Sequence, residues 1–128
     1  MTDNLTFINL MHANLSRVER WHSLNDWSTL EWAGAMCGEA GEAANFAKKL
    51  KRVESKIPNH DGRIDGSNVL EHRLIPTYRA GIVKEYADVV IYGVLMCARA
   101  GATPEEVQQT IRDVFNDKSK EYGFPERL

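Results

Sequence analysis

Residues 82–98 read IVKEYADVVIYGVLMCA, and nearly every position of this segment beyond Glu85 is apolar. The short run VVIY at 89–92 is also compatible with a β-strand. The continuous length, the two acids three positions apart and Gly101 as a terminator favour a helix over Tyr78–Ala100 instead. Because a helix that is apolar around most of its circumference must be covered, we expect this helix to be buried.

Two acidic pairs, Glu39 with Glu42 and Glu85 with Asp88, lie in apolar surroundings. Residues three apart share a helix face, so each pair presents two converging carboxylates. A buried carboxylate is costly unless a cation neutralises it. If the two helices pack together, four carboxylates meet, and such an all-oxygen ligand set favours Mg²⁺ or Mn²⁺ over zinc or copper.

The same acids have a second interpretation, in which they form structural salt bridges with basic residues of another helix. Lys48 and Arg99 are examples of such partners. For an arbitrary Glu-x-x-Glu pattern the ordinary explanation is a solvated helix face, and the apolar neighbours of both pairs argue against it here. The two remaining interpretations, metal site and structural salt bridges, predict different responses to Mg²⁺.

Helical periodicity and helix-start signals recur along the rest of the chain. The sequences STLE at 28–31 and TPEE at 103–106 both match a capping box. Proline and glycine interrupt the pattern over 54–77, which therefore reads as a long connection with one short helical turn near 68–73. The chain is predicted to be all-α, with a turn over 23–27 and helices over 4–22, 29–52, 78–100 and 104–122.

The helix over 29–52 contains three interior glycines, Gly34, Gly38 and Gly41. Each interior glycine costs about 1 kcal/mol relative to alanine. We therefore expect a compensating reason at these positions, either close helix packing or the close approach of a ligand.

Composition restricts the class of protein. A chain of 128 residues with 43% hydrophobic and 27% charged residues is typical of a single globular domain. A net charge of −2 gives no sign of binding to nucleic acid or to an anionic membrane, and the apolar stretch Val89–Ala98 is too short to span a bilayer. No secretory signal is visible, so we expect a cytoplasmic protein whose Cys37 and Cys97 are reduced, buried thiols.

At this point the chain resembles a known family, the MazG-like all-α nucleoside triphosphate pyrophosphohydrolases. Their signature is Glu-x-x-Glu, a spacer and Glu-x-x-Asp, which GEAGEA at 38–43, a lysine-rich helix and EYADVVIY at 85–92 match. The resemblance covers about Trp27 to Leu128, and FNDKS at 115–119 together with the tail Gly123–Leu128 is similar to small, often phage-encoded members.

Two features depart from the family pattern. The spacer between the acidic pairs is longer than usual, and Asn59–Pro76 looks like an insertion that could cover the site or alter substrate choice. Many relatives carry a lysine two residues before the asparagine that corresponds to Asn116, where this chain has Val114.

The resemblance implies a fold and a reaction. It implies a MazG-like helical bundle whose core is completed by association into a homodimer or homotetramer. It also implies hydrolysis of a (d)NTP to a (d)NMP and diphosphate by attack of a metal-activated water on the α-phosphorus. A purine nucleotide such as dGTP is the substrate to test first.

The resemblance also assigns roles to individual residues. The ligands of Mg²⁺, or of Mn²⁺ in its place, would be Glu39, Glu42, Glu85 and Asp88, with Glu39 or Glu42 as general base. Residues at the end of the acidic helix could meet the phosphates, while tryptophans and amides could contact the base or sugar. The candidate substrate-binding residues are Lys48, Lys49, Arg52, Asn116, Lys120, Trp21, Trp27 and Asn14.

Two other classes of protein were weighed. A non-enzymatic helical interaction module would use the acids as structural salt bridges. A di-iron carboxylate bundle needs two Glu-x-x-His motifs. Only Glu19 with His22 matches that motif, because His72 follows Glu71 directly.

Overall fold

The computed structural model describes residues 5–58, 60–62 and 74–128, and it confirms an all-α chain. Within these residues, helix α1 spans Phe7–Trp21, a 3₁₀ turn spans Leu24–Asp26, α2 spans Thr29–Ser55, α3 spans Leu74–Arg99 and α4 spans Pro104–Tyr122.

Side-chain caps explain where the helices begin. At α2 the backbone N–H of Glu31 donates to Ser28 Oγ at 3.2 Å, and the Ser28 N–H donates to a Glu31 carboxylate oxygen at 2.6 Å. The same reciprocal pair joins Thr103 and Glu106 at α4. Gly123 ends α4 with a φ of 73°, a left-handed conformation that glycine adopts without steric cost. Both predicted capping boxes are confirmed.

Helix α3 differs from the prediction at its start. It begins at Leu74, four residues before the expected Tyr78, and therefore includes Pro76. Proline is tolerated in the first turn of a helix because the N–H it lacks has no partner there. Residues 89–92 are helical, so the strand alternative is wrong, and the predicted helical turn near 68–73 lies outside the described residues.

The chain divides into two compact units, one formed by residues up to Trp32 together with Gly93–Leu128, the other by Ala33–Tyr92. In the first unit α1 packs against α4. The indole N–H of Trp32 donates to the Leu24 carbonyl at 3.0 Å, and Trp32 is fully buried. The buried apolar residues of this unit are Met11, Val18, Trp32, Val94 and Leu95.

In the second unit the described parts of α2 and α3 run antiparallel, because contacts that advance along α2 recede along α3. The Phe46 ring lies against Gly81, and its centroid is 6.4 Å from that of Tyr78. Further along α2, a carboxylate oxygen of Glu54 lies 3.2 Å from an Arg79 guanidinium nitrogen. This register places the two acidic pairs opposite each other.

The expectation that both cysteines are buried is wrong. Cys37 is exposed and Cys97 is partly buried, although both are free thiols as expected. Within the single chain, helix α3 is not covered all round, since Val83 and Tyr86 are 69% and 65% exposed, and its burial against a second copy stays a prediction. The covered residues of α3 include Glu85, which makes the position of this acid unusual.

Candidate metal centre

Glu85 is the buried acid of the second unit, with only 6% of its surface exposed. It lies on α3, and its carboxyl group forms a hydrogen bond with the carboxyl group of Glu39 on α2. A hydrogen bond between two carboxyl groups requires a proton on one of them. The pair therefore indicates a place where negative charge is too concentrated to remain uncompensated.

Three carboxylates converge at this point. One oxygen each from Glu39, Glu85 and Asp88 can be chosen so that all lie within 4.8 Å of one another. The pKa of Glu39 is raised, first by its hydrogen bond with Glu85, then by burial and by the negative charges around it. Those charges belong to Glu42, Asp88 and Glu85.

Lys84 is a member of this cluster that the sequence reasoning missed. Its ammonium lies 2.8 Å from a carboxylate oxygen of Asp88 and 3.3 Å from one of Glu85. Hydrogen bonds to Asp88 and then to Glu85 raise the pKa of Lys84. The available signal was the i, i+4 spacing of Lys84 and Asp88, which brings opposite charges together on one helix face.

The expected salt-bridge partners, Lys48 and Arg99, are therefore not the cations found beside the second acidic pair. Arg99 belongs to the first unit and donates its Nε–H to the Trp27 carbonyl at 2.9 Å. Lys48 is an exposed residue of α2. The cation comes instead from the same helix as the acids, and its side chain is 66% exposed.

Glu42, the fourth predicted ligand, lies close enough to raise the pKa of Glu39 by its charge. It is exposed and is not one of the three carboxylates that converge. A Cβ added to Gly34, Gly38 or Gly41 would meet nothing within 4 Å. The expected close helix packing is therefore absent at these glycines within the described residues, and open space lies beside Gly38 and Gly41, which flank the acids.

The donor set fits a hard divalent cation. Mg²⁺ takes oxygen ligands at 2.0–2.1 Å, so two ligands on opposite sides of the ion are about 4 Å apart. The span of 4.8 Å among Glu39, Glu85 and Asp88 is slightly wider than that. Small side-chain rotations would close the difference, and water or substrate oxygens would complete the octahedron.

Three predicted phosphate contacts, Lys48, Lys49 and Arg52, follow the acids along α2 in the second unit. All three residues are exposed. The Lys49 ammonium lies 5.4 Å from the centroid of the Phe46 ring, a cation–π distance. Phe46 follows Glu42 by one helical turn, so Phe46 and Lys49 lie on the same face of α2 as Glu42.

The predicted base-stacking tryptophans belong to the first unit. Trp27 and Trp32 have ring centroids 4.5 Å apart, and Trp21 is 59% exposed at the edge of the group. His22, which the sequence reasoning assigned only to a failed di-iron motif, stacks on Trp32 at 5.3 Å. Trp32 is thus a core residue, while Trp21 presents an open aromatic surface.

The two candidate amides are occupied by other groups. Asn14 is buried on α1, and its carbonyl oxygen accepts a hydrogen bond from Arg17 at 3.4 Å. The side-chain oxygen of Asn116 accepts from the Leu128 N–H at 2.8 Å, and its amide nitrogen donates to the Leu128 carbonyl at 3.5 Å. The two hydrogen bonds of Asn116 therefore hold the backbone of Leu128 against α4.

Helix α4 also carries the position where relatives were expected to have a lysine. Val114 is exposed there and, with Ile111 and Phe115, lines an open apolar groove of about 450 Å³. Lys118 at the edge of the groove is paired with Glu121 at 3.0 Å, and Lys120 is exposed in the last turn. These residues lie in the first unit.

Comparisons of the chain with protein-family models, with curated proteins and with solved structures gave no match. Among the helices in the described part of the chain, none is both long and apolar enough to cross a membrane.

The raised pKa of Glu39 predicts how the metal-free protein responds to pH. The folded state favours the protonated carboxyl, so this contribution to stability is present below the ordinary pKa of 4.5 and is lost as the pH rises through the raised value. Glu39→Gln carries no charge and keeps a hydrogen-bonding amide. We expect it to raise the metal-free Tm by a few degrees near neutral pH.

Thermal unfolding from about pH 4 to about pH 8 in the presence of a chelator measures this effect. Glu126→Gln, which removes an exposed acid of the C-terminal segment, is the matched control. Identical pH profiles for Glu39→Gln and the unmodified protein would contradict the charge crowding described above.

Proposed function

We propose that this chain is a MazG-like, divalent-metal-dependent pyrophosphohydrolase that converts a (d)NTP and water to a (d)NMP and diphosphate. The observation that carries the proposal is the convergence of Glu39, Glu85 and Asp88 around a buried carboxylate. These residues occupy three of the four positions of the acidic signature. The resemblance in sequence supplies the reaction, and the charge crowding supplies a physical reason for a cation.

The proposed roles follow from burial and position. Glu39, Glu85 and Asp88 would hold Mg²⁺ or Mn²⁺, which when bound neutralises phosphate oxygens and lowers the pKa of water. Glu42 is exposed and lies outside the three converging carboxylates. Its carboxylate is therefore the one left to take a proton from the attacking water, and we assign Glu42 as the general base.

Further residues of α2 would receive the substrate. Lys48, Lys49 and Arg52 place positive charge along the helix beyond the acids, where it would attract the triphosphate. Open space beside Gly38 and Gly41 leaves room for phosphate oxygens to reach Glu39 and Glu42. Trp21 and Trp27 lie in the first unit, and their role in stacking stays a prediction from the sequence. The first substrate to test is dGTP.

Lys84 favours the second candidate function, a helical interaction module with structural salt bridges. Its ammonium bridges Glu85 and Asp88, as that hypothesis requires. However, an ion pair with a largely exposed lysine stabilises a protein only weakly, which does not account for a buried Glu85 beside Glu39. We therefore place this function second.

The di-iron alternative lacks the histidine it needs. Glu19 accepts a hydrogen bond from the Leu24 N–H at 2.9 Å, and His22 Nδ1 lies 3.1 Å from the Ser23 carbonyl oxygen. Both side chains are engaged in the turn after α1. In the part of the chain that the structure describes, the candidate metal cluster consists of carboxylates alone.

We also propose that a second copy of the chain covers α3, giving a dimer or tetramer. Val83 and Tyr86 are exposed on the helix that carries Glu85 and Asp88, and their apolar surface would be buried by association. Light scattering at micromolar concentration should give a multiple of the 14.5 kDa chain mass. A monomer mass would contradict this proposal and leave the hydrolase proposal intact.

A panel of canonical and modified (d)NTPs, assayed with Mg²⁺ and with Mn²⁺ for diphosphate release, tests the reaction. Glu85→Gln and Asp88→Asn keep the side-chain shape and remove a ligand charge. We expect each to reduce turnover by orders of magnitude and to abolish stabilisation by Mg²⁺. Metal-free stability should hold or rise, because carboxylate repulsion is relieved and the exposed Lys84 needs no partner.

The matched control is Glu54→Gln, which removes an exposed acid of α2 paired with Arg79 and should keep full activity. Release of orthophosphate would exclude cleavage at the α-phosphorus. A destabilised Glu85→Gln variant with normal specific activity would exclude the metal site and favour the interaction module.

Lys84→Met tests whether the lysine ammonium and the metal compete for the same oxygens. Removing the ammonium leaves Asp88 and Glu85 with unshared charge, so we expect Mg²⁺ affinity to rise a few-fold and metal-free stability to fall slightly. Titration calorimetry measures the affinity, with the exposed Lys51→Met as control for general loss of positive charge. Equal affinities for the two variants would show that Lys84 does not compete.

A further inference from the structure

Gly81 on α3 makes a contact that the glycines of α2, Gly34, Gly38 and Gly41, do not make. A Cβ built at Gly81 would lie 2.9 Å from each of three Phe46 ring carbons, Cδ1, Cδ2 and Cε1. Real Cβ atoms essentially never approach that closely. The Phe46 ring therefore lies over the glycine backbone, in space that a side chain at position 81 would occupy.

The Phe46 ring has neighbours beyond Gly81. The Tyr78 ring centroid is 6.4 Å away, and the Lys49 ammonium lies 5.4 Å from the Phe46 ring centroid. These neighbours restrict the directions in which the ring could move away from a new methyl group. A methyl group at position 81 therefore requires the Phe46 ring or the helix backbones to shift, and we expect α2 and α3 to move apart.

The contact lies one helical turn from Glu85 on α3 and two turns from Glu39 on α2. Gly81 precedes Glu85 by four residues, and Phe46 follows Glu39 by seven residues. Because the helices run antiparallel, the distance between their axes at the Phe46–Gly81 contact influences the distance where Glu39 of α2 approaches Glu85 of α3.

A shared ion requires the acids of the two helices to stay close together. One oxygen each from Glu39, Glu85 and Asp88 lies within 4.8 Å of the others, and Mg²⁺ requires opposite ligands about 4 Å apart. Metal sites need their ligands held within about 0.5 Å of the productive geometry. Wider separation of α2 and α3 would leave the ligands of one helix unable to share an ion with those of the other.

We propose that Gly81 and Phe46 are positioning residues that set the spacing between α2 and α3 at which Glu39, Glu85 and Asp88 can share one divalent cation. The inference rests on the metal site proposed above and extends it to residues that touch neither the ion nor the substrate. Gly81 acts through the absence of a side chain, and the Phe46 ring fills the space beside its backbone.

The test is the affinity for Mg²⁺ alone, measured by titration calorimetry on the full chain. Gly81→Ala should reduce Mg²⁺ affinity at least ten-fold, although alanine favours a helix more than glycine does. Gly34→Ala makes the same chemical change on α2 where a Cβ meets nothing within 4 Å, and it should leave the affinity unchanged. In the double variant Gly81→Ala/Phe46→Leu, the smaller side chain makes room for the methyl group, and most of the affinity should return.

A purely structural role for Gly81 predicts a lower metal-free Tm without selective loss of Mg²⁺ binding, so metal-free unfolding is measured alongside. If Gly81→Ala does not fold, Phe46→Trp enlarges the contact from α2, and the same loss of affinity is expected. Folded Gly81→Ala with the affinity of Gly34→Ala would overturn this inference and leave the metal site standing. Absence of Mg²⁺ binding by the unmodified protein would overturn both.

Discussion

The need to neutralise a buried carboxylate governs the second unit of this molecule. Glu85 is almost fully covered, and Glu39 and Asp88 approach it from α2 and α3. Carboxylates this close repel each other strongly when all are ionised, so the arrangement requires a proton, an ammonium or a metal ion. The ammonium of Lys84 compensates part of the charge, and the crowding raises the pKa of Glu39.

Two kinds of glycine make this concentration of charge feasible. Gly81 lets the ring of Phe46 lie against α3, which brings the two helices close at the turn beside the acids. Gly38 and Gly41 do the opposite, because they leave open space beside Glu39 and Glu42 where side chains would otherwise stand. Gly81 on α3 therefore permits close packing of the two helices, whereas Gly38 and Gly41 keep α2 accessible beside the acids.

Local signals made much of the fold predictable. Each capping box, at Ser28 and at Thr103, is recognisable from four consecutive residues of the sequence, and the structure confirms both. The convergence of Glu39 with Glu85 depended on how two helices pack, and it was anticipated only because each pair has helical spacing. The close contact at Gly81 could not be predicted from the sequence, because Gly34 is also an interior helical glycine and yet faces open space. Helix propensity depends on the local sequence, whereas the atoms around a Cβ depend on how the helices pack.

The assignment of side chains to the site was less predictable for a related reason. Asn116 has the chemistry to bind a substrate, but the backbone of Leu128 takes both of its hydrogen-bonding groups. Lys84 was not predicted as a partner because it lies on the same helix as Glu85 and Asp88, whereas a salt bridge was expected from a different helix. Backbone geometry decides which polar partner a side chain binds, and neither composition nor residue spacing reveals that geometry. The acidic pairs were predictable because a buried carboxylate has few possible partners.

Charge balance gives a reason to prefer a divalent ion over Lys84 as the partner of the cluster. When ionised, Glu39, Glu42, Glu85 and Asp88 carry four negative charges, and Lys84 supplies one positive charge. The ionised cluster together with Lys84 therefore carries −3, and a divalent ion would compensate two negative charges where Lys84 compensates one. Lys84 is largely exposed and can return to solvent at little cost. A metal that takes these oxygens would displace Lys84, and because the pKa of Glu39 is raised, the ion would compete with a proton for the Glu39 carboxylate.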